Sequence, residues 1–341
     1  MNPAIFASSF HPHFGGVEEL ARQLALQLKA TGNAPVVFTN RWPKNLARYE
    51  EFEGLPIRRY LFRVPERTFR QLSTSLIFGG LTLRNVVNDL RQLGTDVLHI
   101  QCVSSQTYYA LAARRELQLP LVVTLQGELT MDAGQLFQKS RFAQSLLRRA
   151  LDEADLITGC SAKTLFDAEA FYGESFGDRA RVIFNGAAIT DFGTCKPFTH
   201  PRPYMFAIGR IVPQKGFDVL LRAYAKSGVR SHDLVIAGDG PARADLESLA
   251  RELGVAESVH FLGRADRNLV PSLFRGASFF VLPSRTDEGM PVVCAEAMAA
   301  GKAVIATRAG GAPEAILDEI NGIIVPREDI DALATALSRI S

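Results

Sequence analysis

Residues 279–301 read Phe279-Phe280-Val281-Leu282-Pro283-Ser284-Arg285-Thr286-Asp287-Glu288-Gly289-Met290-Pro291-Val292-Val293-Cys294-Ala295-Glu296-Ala297-Met298-Ala299-Ala300-Gly301. Four apolar residues closed by a proline predict a short strand covered on both faces. The polar run after it predicts a loop, and Pro291 suits the first position of a helix that Gly301 terminates. Strand, loop and helix in that order form the repeating unit of a doubly wound α/β sheet. Glu288 falls in the loop. Glu296 falls in the helix among Val293, Cys294, Ala295, Ala297 and Met298, where an acid suits a bond to a ligand hydroxyl better than plain solvation. The amides around Gly289, Met290, Pro291 and Val292 form a positive helix terminus fit for phosphate oxygens.

The same unit recurs outward in both directions. Strands are expected at Pro3–Ser9, Ala34–Thr39, Ile57–Phe62, Val97–Ile100, Leu119–Leu125, Leu156–Gly159 and Arg181–Phe184. A second set falls at Tyr204–Gly209, Leu234–Ala237, Val259–Leu262, Phe279–Leu282, Ala303–Ala306 and Gly322–Val325. Amphipathic stretches such as Val17–Lys29, Asp218–Lys226 and Asp329–Arg339 lie between them. Residues 191–203 hold three prolines and no periodicity, so they read as a linker between domains 1–190 and 204–341. The length of 341 residues fits two such domains.

Composition excludes several classes. A net charge of +2 with 22% charged residues is neither an acidic disordered chain nor a globally basic nucleic-acid binder. The four cysteines stand singly, which argues against a disulfide framework and for a reducing compartment. No apolar run approaches a membrane span, and the N-terminus lacks the basic region of a signal peptide. A cytoplasmic location is the natural expectation.

Three further loops carry chemistry. In Gly209-Arg210-Ile211-Val212-Pro213-Gln214-Lys215-Gly216, a strand end delivers Arg210 and Lys215, two cations able to neutralise a diphosphate without a metal. It lacks the Walker spacing, because Gly216 follows Lys215. Gly15 and Gly16, at the start of the first amphipathic helix, let backbone approach a ligand, although a simple tight turn also fits. Gly238–Pro241 and Gly310–Glu314 read as tight turns from strand to helix. His11 and His13 lack a third partner, so no metal site is expected.

Taken in order, these pieces resemble the retaining GT-B glycosyltransferases of family 4. The resemblance runs from Gly15-Gly16 through Asp96–His99, Pro120–Glu128, Asn185-Gly186, Arg210–Gly216, Gly238–Pro241, Phe261–Arg264 and Pro283–Glu296. It continues through Gly310–Glu314 to Gly322–Pro326. It implies two Rossmann-like doubly wound parallel-sheet domains facing a central cleft, with a nucleotide-sugar bound mainly by the second. Arg210 and Lys215 would hold the diphosphate, Glu296 the ribose hydroxyls and Glu288 the sugar hydroxyls. The amides after Gly289, with those of Gly15 and Gly16, would cradle phosphate and sugar. The family needs no metal or other cofactor. UDP-sugars are slightly favoured over GDP-sugars as donor, and the acceptor would be a glycan, glycolipid or small molecule of cell-surface polysaccharide synthesis.

Two departures stand out. Many relatives carry histidine where Gln126 stands; its amide can bond a sugar hydroxyl but cannot titrate, leaving Glu128 as an acidic substitute. Relatives also usually send a last helix back across the first domain, whereas this sequence ends at Ser341. The acceptor side is expected to be basic, from Arg58, Arg59, Arg63, Arg67 and Arg70 with Phe62 and Phe69, and from Lys139, Arg141, Arg148 and Arg149. Such a surface would touch an anionic membrane peripherally, although a solvated helix face is the plainer reading. The competing functions are a non-transferring enzyme of the same fold, such as a nucleotide-sugar epimerase, and a catalytically idle nucleotide-sugar binder.

Overall fold

Strands β1 (Pro3–Ala7), β2 (Val36–Asn40), β3 (Tyr49–Phe52), β4 (Leu55–Tyr60), β5 (Val97–Gln101), β6 (Leu121–Leu125), β7 (Leu156–Gly159) and β8 (Ala180–Val182) form one sheet. A second sheet holds β9 (Tyr204–Ile208), β10 (Asp233–Ala237), β11 (Val259–Gly263), β12 (Phe279–Leu282), β13 (Val304–Thr307) and β14 (Gly322–Val325). The computed structural model describes residues 1–13, 15–64, 69–130 and 136–341, with side chains left out at 69–77 and 191. Phe14, Glu66 and Arg67, and the side chains of Phe69 and Arg70, thus lie outside the described residues.

The helices of the first sheet's half are α1 (Gly16–Ala30), α2 (Phe69–Gln92), α3 (Ser105–Leu117), α4 (Leu136–Lys139), α5 (Arg141–Glu153) and α6 (Ala162–Tyr172). Those of the second are α7 (Ile189–Thr194), α8 (Phe217–Ser227), α9 (Arg243–Glu252), α10 (Val270–Gly276), α11 (Val292–Ala299), α12 (Ala312–Ala315) and α13 (Ile330–Ile340). Two compact units result, Met1–Phe184 and Asn185–Ser341.

The continuous apolar runs have a direct cause. In β9, Met205 and Ala207 join one buried cluster while Phe206 joins another on the opposite face. Val281 and Phe280 of β12 divide the same way. Both faces of the second sheet are covered, so the apolar/polar alternation of a half-exposed strand is absent. All six strands of that sheet pair in parallel, in the order β11-β10-β9-β12-β13-β14.

The first sheet runs β3-β4-β2-β1-β5-β6-β7-β8, parallel except that β3 pairs antiparallel with β4. Sequence reading misses β3. Its residues Tyr49-Glu50-Glu51-Phe52 form a short edge strand whose exposed row is Tyr49 and Glu51, and it carries little apolar signal.

The linker expectation needs correction. Residues 191–194 lie in α7, whose Phe192 is buried against Phe274 with ring centroids 6.0 Å apart. The second unit therefore begins at Asn185, not at 204. Pro291 also differs by one position: it caps α11 instead of opening it, while Gly301 does follow the helix with φ +70.

Candidate active site in the second unit

Strand order reverses between the neighbours β9 and β12. At such a switch point, the loops leaving adjacent strand ends diverge and open a crevice at the carboxyl edge of the sheet. Arg210 and Lys215 lie on the loop after β9, and Glu288 lies on the loop after β12.

These loops are stapled together. Residues Pro213–Lys215 form one 3-10 turn, and Gly216 follows with φ +66. A Cβ on Gly216 would overlap the Pro283 carbonyl, so only glycine lets the backbones approach this closely. Arg285 completes the staple. Its amide donates to the Gln214 carbonyl at 2.9 Å, and its guanidinium grips Asp218 at 2.8 and 2.5 Å. The outcome is a contact spanning 73 residues of sequence: Lys215 Nζ lies 2.7 Å from Glu288 Oε2.

Glu288 is 7% exposed, and its other oxygen accepts from the Ser284 hydroxyl. Thr307 Oγ1 donates to the Ser284 carbonyl at 2.6 Å, and the Gly311 amide to the Glu288 carbonyl at 2.9 Å. The turn after β13 therefore backs the carboxylate-bearing loop. Arg210 is exposed, and its guanidinium has no partner among the described residues. The site thus combines an exposed cation, a cation held by a buried acid, and the N-terminus of α11. Met290 beside that terminus is buried, and its carbonyl accepts from Asn185 Nδ2 at 3.0 Å.

Glu296 lies one helical turn into α11 and is half-buried. Burial pushes its carboxyl up from 4.5 to about 7, against the opposing pull of Arg267. Between these values the folded chain holds a proton that the unfolded chain has released, so the residue's contribution to stability falls as pH rises. Glu296→Gln removes that slope. Its melting temperature should fall less than that of the parent between pH 5 and 7, as thermal melts across that range would show.

Two sequence expectations in the first unit take a different form. Glu128 is buried, with Oε1 accepting from the Val103 amide at 2.8 Å. Its Oε2 accepts from the Gln126 and Gly127 amides at 2.8 and 3.1 Å. It ties the loops after β5 and β6 together and is occupied by backbone donors, so it is no free base. Gln126, which this clamp positions, is itself buried. Gly15 caps α1 in extended backbone and Gly16 opens it. The Glu18 carboxylate, bonded by the Ser9 hydroxyl, lies against Gly15. A phosphate approaching these amides would meet a like charge; a hydroxyl would not.

The basic surface is also smaller than its sequence suggests. Arg59 is 1% exposed, paired with Glu50 and donating to the His11 carbonyl at 2.5 Å. Phe62 is buried in the core. Arg148 donates to the Tyr172 and Phe171 carbonyls at 2.9 and 2.7 Å, while Leu146 and Leu147 face the core. This is the pattern of an ordinary amphipathic helix. Arg141 and Lys139 are exposed. No helix among the described residues is long and apolar enough to cross a membrane.

Sequence reading does not single out Ser284, Arg285 or the Gly310 turn as site residues. Ser284 and Arg285 sit within the strand-to-helix loop after β12, and only sheet adjacency shows what they touch.

A family model described as Glycosyltransferase Family 4 matches residues 14–190, and one described as Glycosyl transferases group 1 matches 196–341. The chain is 34% identical over 214 residues to a GDP-mannose-dependent alpha-(1-6)-phosphatidylinositol monomannoside mannosyltransferase of Mycolicibacterium smegmatis. That match covers 57% of this chain and 55% of the relative, so the chain spans about half the length of that curated protein. An uncharacterized glycosyltransferase of Methanocaldococcus jannaschii is 26% identical over 344 residues, covering 96% of this chain and 85% of its own. Among solved structures, a sucrose-phosphate synthase from Thermosynechococcus elongatus superposes with a TM-score of 0.79 at 22% identity, covering 99% and 89% of the two chains. Anabaena HepE in complex with UDP gives a TM-score of 0.74 at 20% identity, with the same coverage. These likenesses show the GT-B fold.

Proposed function

The chain belongs to glycosyltransferase family 4, and on that premise we propose that it transfers a sugar from a UDP- or GDP-sugar to a hydroxyl of a glycan, glycolipid or small-molecule acceptor. The observation that carries this reading is the pairing of Lys215 with the buried Glu288 at the switch point of the second sheet, beside an exposed Arg210. Arg210 and Lys215 take the diphosphate, joined by the amides around Gly289, Met290, Pro291 and Val292. Glu296 accepts from the ribose hydroxyls, and Glu288 from a sugar hydroxyl.

In the reaction the bond from the anomeric carbon to the diphosphate oxygen breaks, and a bond to the acceptor oxygen forms on the same face. The acceptor proton passes to the leaving phosphate. Negative charge grows on the diphosphate, and fixed cations with a helix terminus stabilise it, each well-placed donor contributing about 3 kcal/mol. No protein nucleophile, metal or cofactor enters the scheme. Gln126, Gly15 and Gly16 serve hydroxyl groups of donor or acceptor.

The relatives' names divide the donor between GDP and UDP: GDP-mannose for the mycobacterial enzyme, UDP in the HepE complex. A thermal-shift screen of UDP- and GDP-sugars tests both, since a ligand that binds only the folded state raises its melting temperature. Arg210→Ala should weaken donor binding by about 10–100-fold, the weight of a charge-assisted hydrogen bond, without lowering the melting temperature of the free protein. Conversion of the nucleotide-sugar to an isomer without any acceptor marks the epimerase reading, and binding without diphosphate release under any acceptor marks the idle binder.

A glycolipid acceptor would also bring the chain to the cytoplasmic face of a membrane, with Lys139 and Arg141 as exposed cations toward anionic lipid. Co-sedimentation with vesicles containing and lacking anionic lipid decides that extension.

A further inference from the structure

The fold gathers three residues that sequence spacing leaves far apart. His200 lies in the segment entering β9, Asp233 opens β10, and His260 is the second residue of β11. One ligand atom from each lies within 4.8 Å of the others. Asp233 is 4% exposed, and its Oδ2 lies 3.1 Å from His260 Nε2 and 3.8 Å from His200 Nδ1. Ligands about 2.1 Å from a tetrahedral zinc ion stand roughly 3.4 Å apart, between these two separations.

We propose that His200, Asp233 and His260 bind a divalent cation of the zinc class, with solvent completing its coordination. Two imidazoles and one carboxylate suit a borderline cation, not the all-oxygen shell of calcium or magnesium. Asp233 Oδ1 is buried and makes no hydrogen bond, although Arg202 Nη1 lies 2.9 Å from it. Arg202 thus lies against the carboxylate oxygen not used toward the histidines, as an outer-shell partner of a metal ligand does. His200 Nδ1 lies 3.0 Å from the Arg202 carbonyl, which can only accept, so a cation bound through Nδ1 replaces that hydrogen bond and requires the tautomer with the proton on Nε2.

The position makes the cation structural. β9, β10 and β11 are parallel neighbours, and the three ligands cluster at their starting edge. Arg210 and Gly238 follow the opposite ends of β9 and β10, one strand length or about 16 Å away. The ion would staple edge strand β11 and the entry to β9 onto β10, outside the transfer chemistry.

The test uses the untagged full chain, freed of metal by EDTA and dialysis, with zinc and cobalt salts as probes. Expected are one ion bound per chain by calorimetry, visible cobalt absorption of a nitrogen-ligated site, and a melting temperature raised by zinc. His200→Gln and His260→Gln should each weaken zinc by more than the ~10–100-fold typical of losing an outer-shell partner. Both should melt like the parent in EDTA and keep nucleotide-sugar binding. His13→Gln, outside the cluster, should change nothing. Absence of saturable one-to-one binding by the parent overturns the proposal, as does zinc affinity unchanged in both cluster variants. If a variant does not fold, the parent's stoichiometry and cobalt spectrum still decide.

Discussion

Glu288→Gln should lower turnover by roughly 10²–10³-fold while donor affinity stays level or tightens. Glutamine keeps the volume and can still take the hydrogen bond from Ser284, so the loop after β12 retains its shape. What disappears is the negative charge 2.7 Å from Lys215 Nζ. Freed of that partner, the ammonium offers its whole charge to the ground-state diphosphate, so binding does not suffer. The sugar loses the acceptor that fixes its orientation, and a small misplacement of reacting atoms is costly. Stability should change little. The Lys215 side chain is 26% exposed, so screening reduces the pair to about 1 kcal/mol, or some 2–4 °C of melting temperature. Steady-state kinetics, donor titration and a thermal melt on one preparation separate the outcomes. Full transfer by the variant sinks the site assignment. A large melting loss with turnover reduced only in proportion to the folded fraction would make Glu288 structural.

How far the sequence could be read depends on whether the deciding contact is local. The second sheet was legible because each strand is short and buried on both faces, so Phe279–Leu282 and its neighbours stand out as apolar runs. The loop chemistry was legible for the same reason, since whatever follows such a strand faces the carboxyl edge. Edge strand β3 was hidden, because a glutamate falls on each of its faces, Glu51 on the exposed row and Glu50 toward Arg59, so no apolar alternation marks it. The roles of Arg59 and Glu128 were hidden too, since a buried charge is distinguished from a surface one only by its partners. Arg59 finds Glu50 across the β3–β4 hairpin, and Glu128 finds three backbone amides on two loops. Both the Lys215–Glu288 pair and the His200–Asp233–His260 cluster arise from sheet order, which no spacing along the chain encodes. Residues 191–194 looked like linker because one aromatic, Phe192, supplies the docking that periodicity would otherwise announce.

Gly310→Ala should be far more damaging than Gly301→Ala, although both positions hold left-handed backbone with φ +56 and +70. At Gly301, just past the end of α11, an added Cβ meets nothing within 4 Å. The cost there is conformational only, about 1 kcal/mol, and the melting temperature should drop by some 2–4 °C with transfer intact. At Gly310 the same strain applies, and the Cβ would also overlap the Glu288 carbonyl oxygen and stand 2.6 Å from its carbonyl carbon. Backbone cannot yield as a flexible side chain can. Relief requires either the Gly310 turn to unwind, breaking the 2.7 Å bond from its amide to Asp287 Oδ1, or the Glu288 peptide to retreat. Retreat also strains the 2.9 Å bond from Gly311 and carries the carboxylate away from Lys215 and Ser284. A displacement near 1 Å is enough to cost about 100-fold in rate. The expected pattern is therefore a larger melting loss in Gly310→Ala and a turnover deficit that persists at temperatures where the variant is folded. Equal melting losses with transfer retained in both variants would mean that the turn after β13 does not hold Glu288 in place.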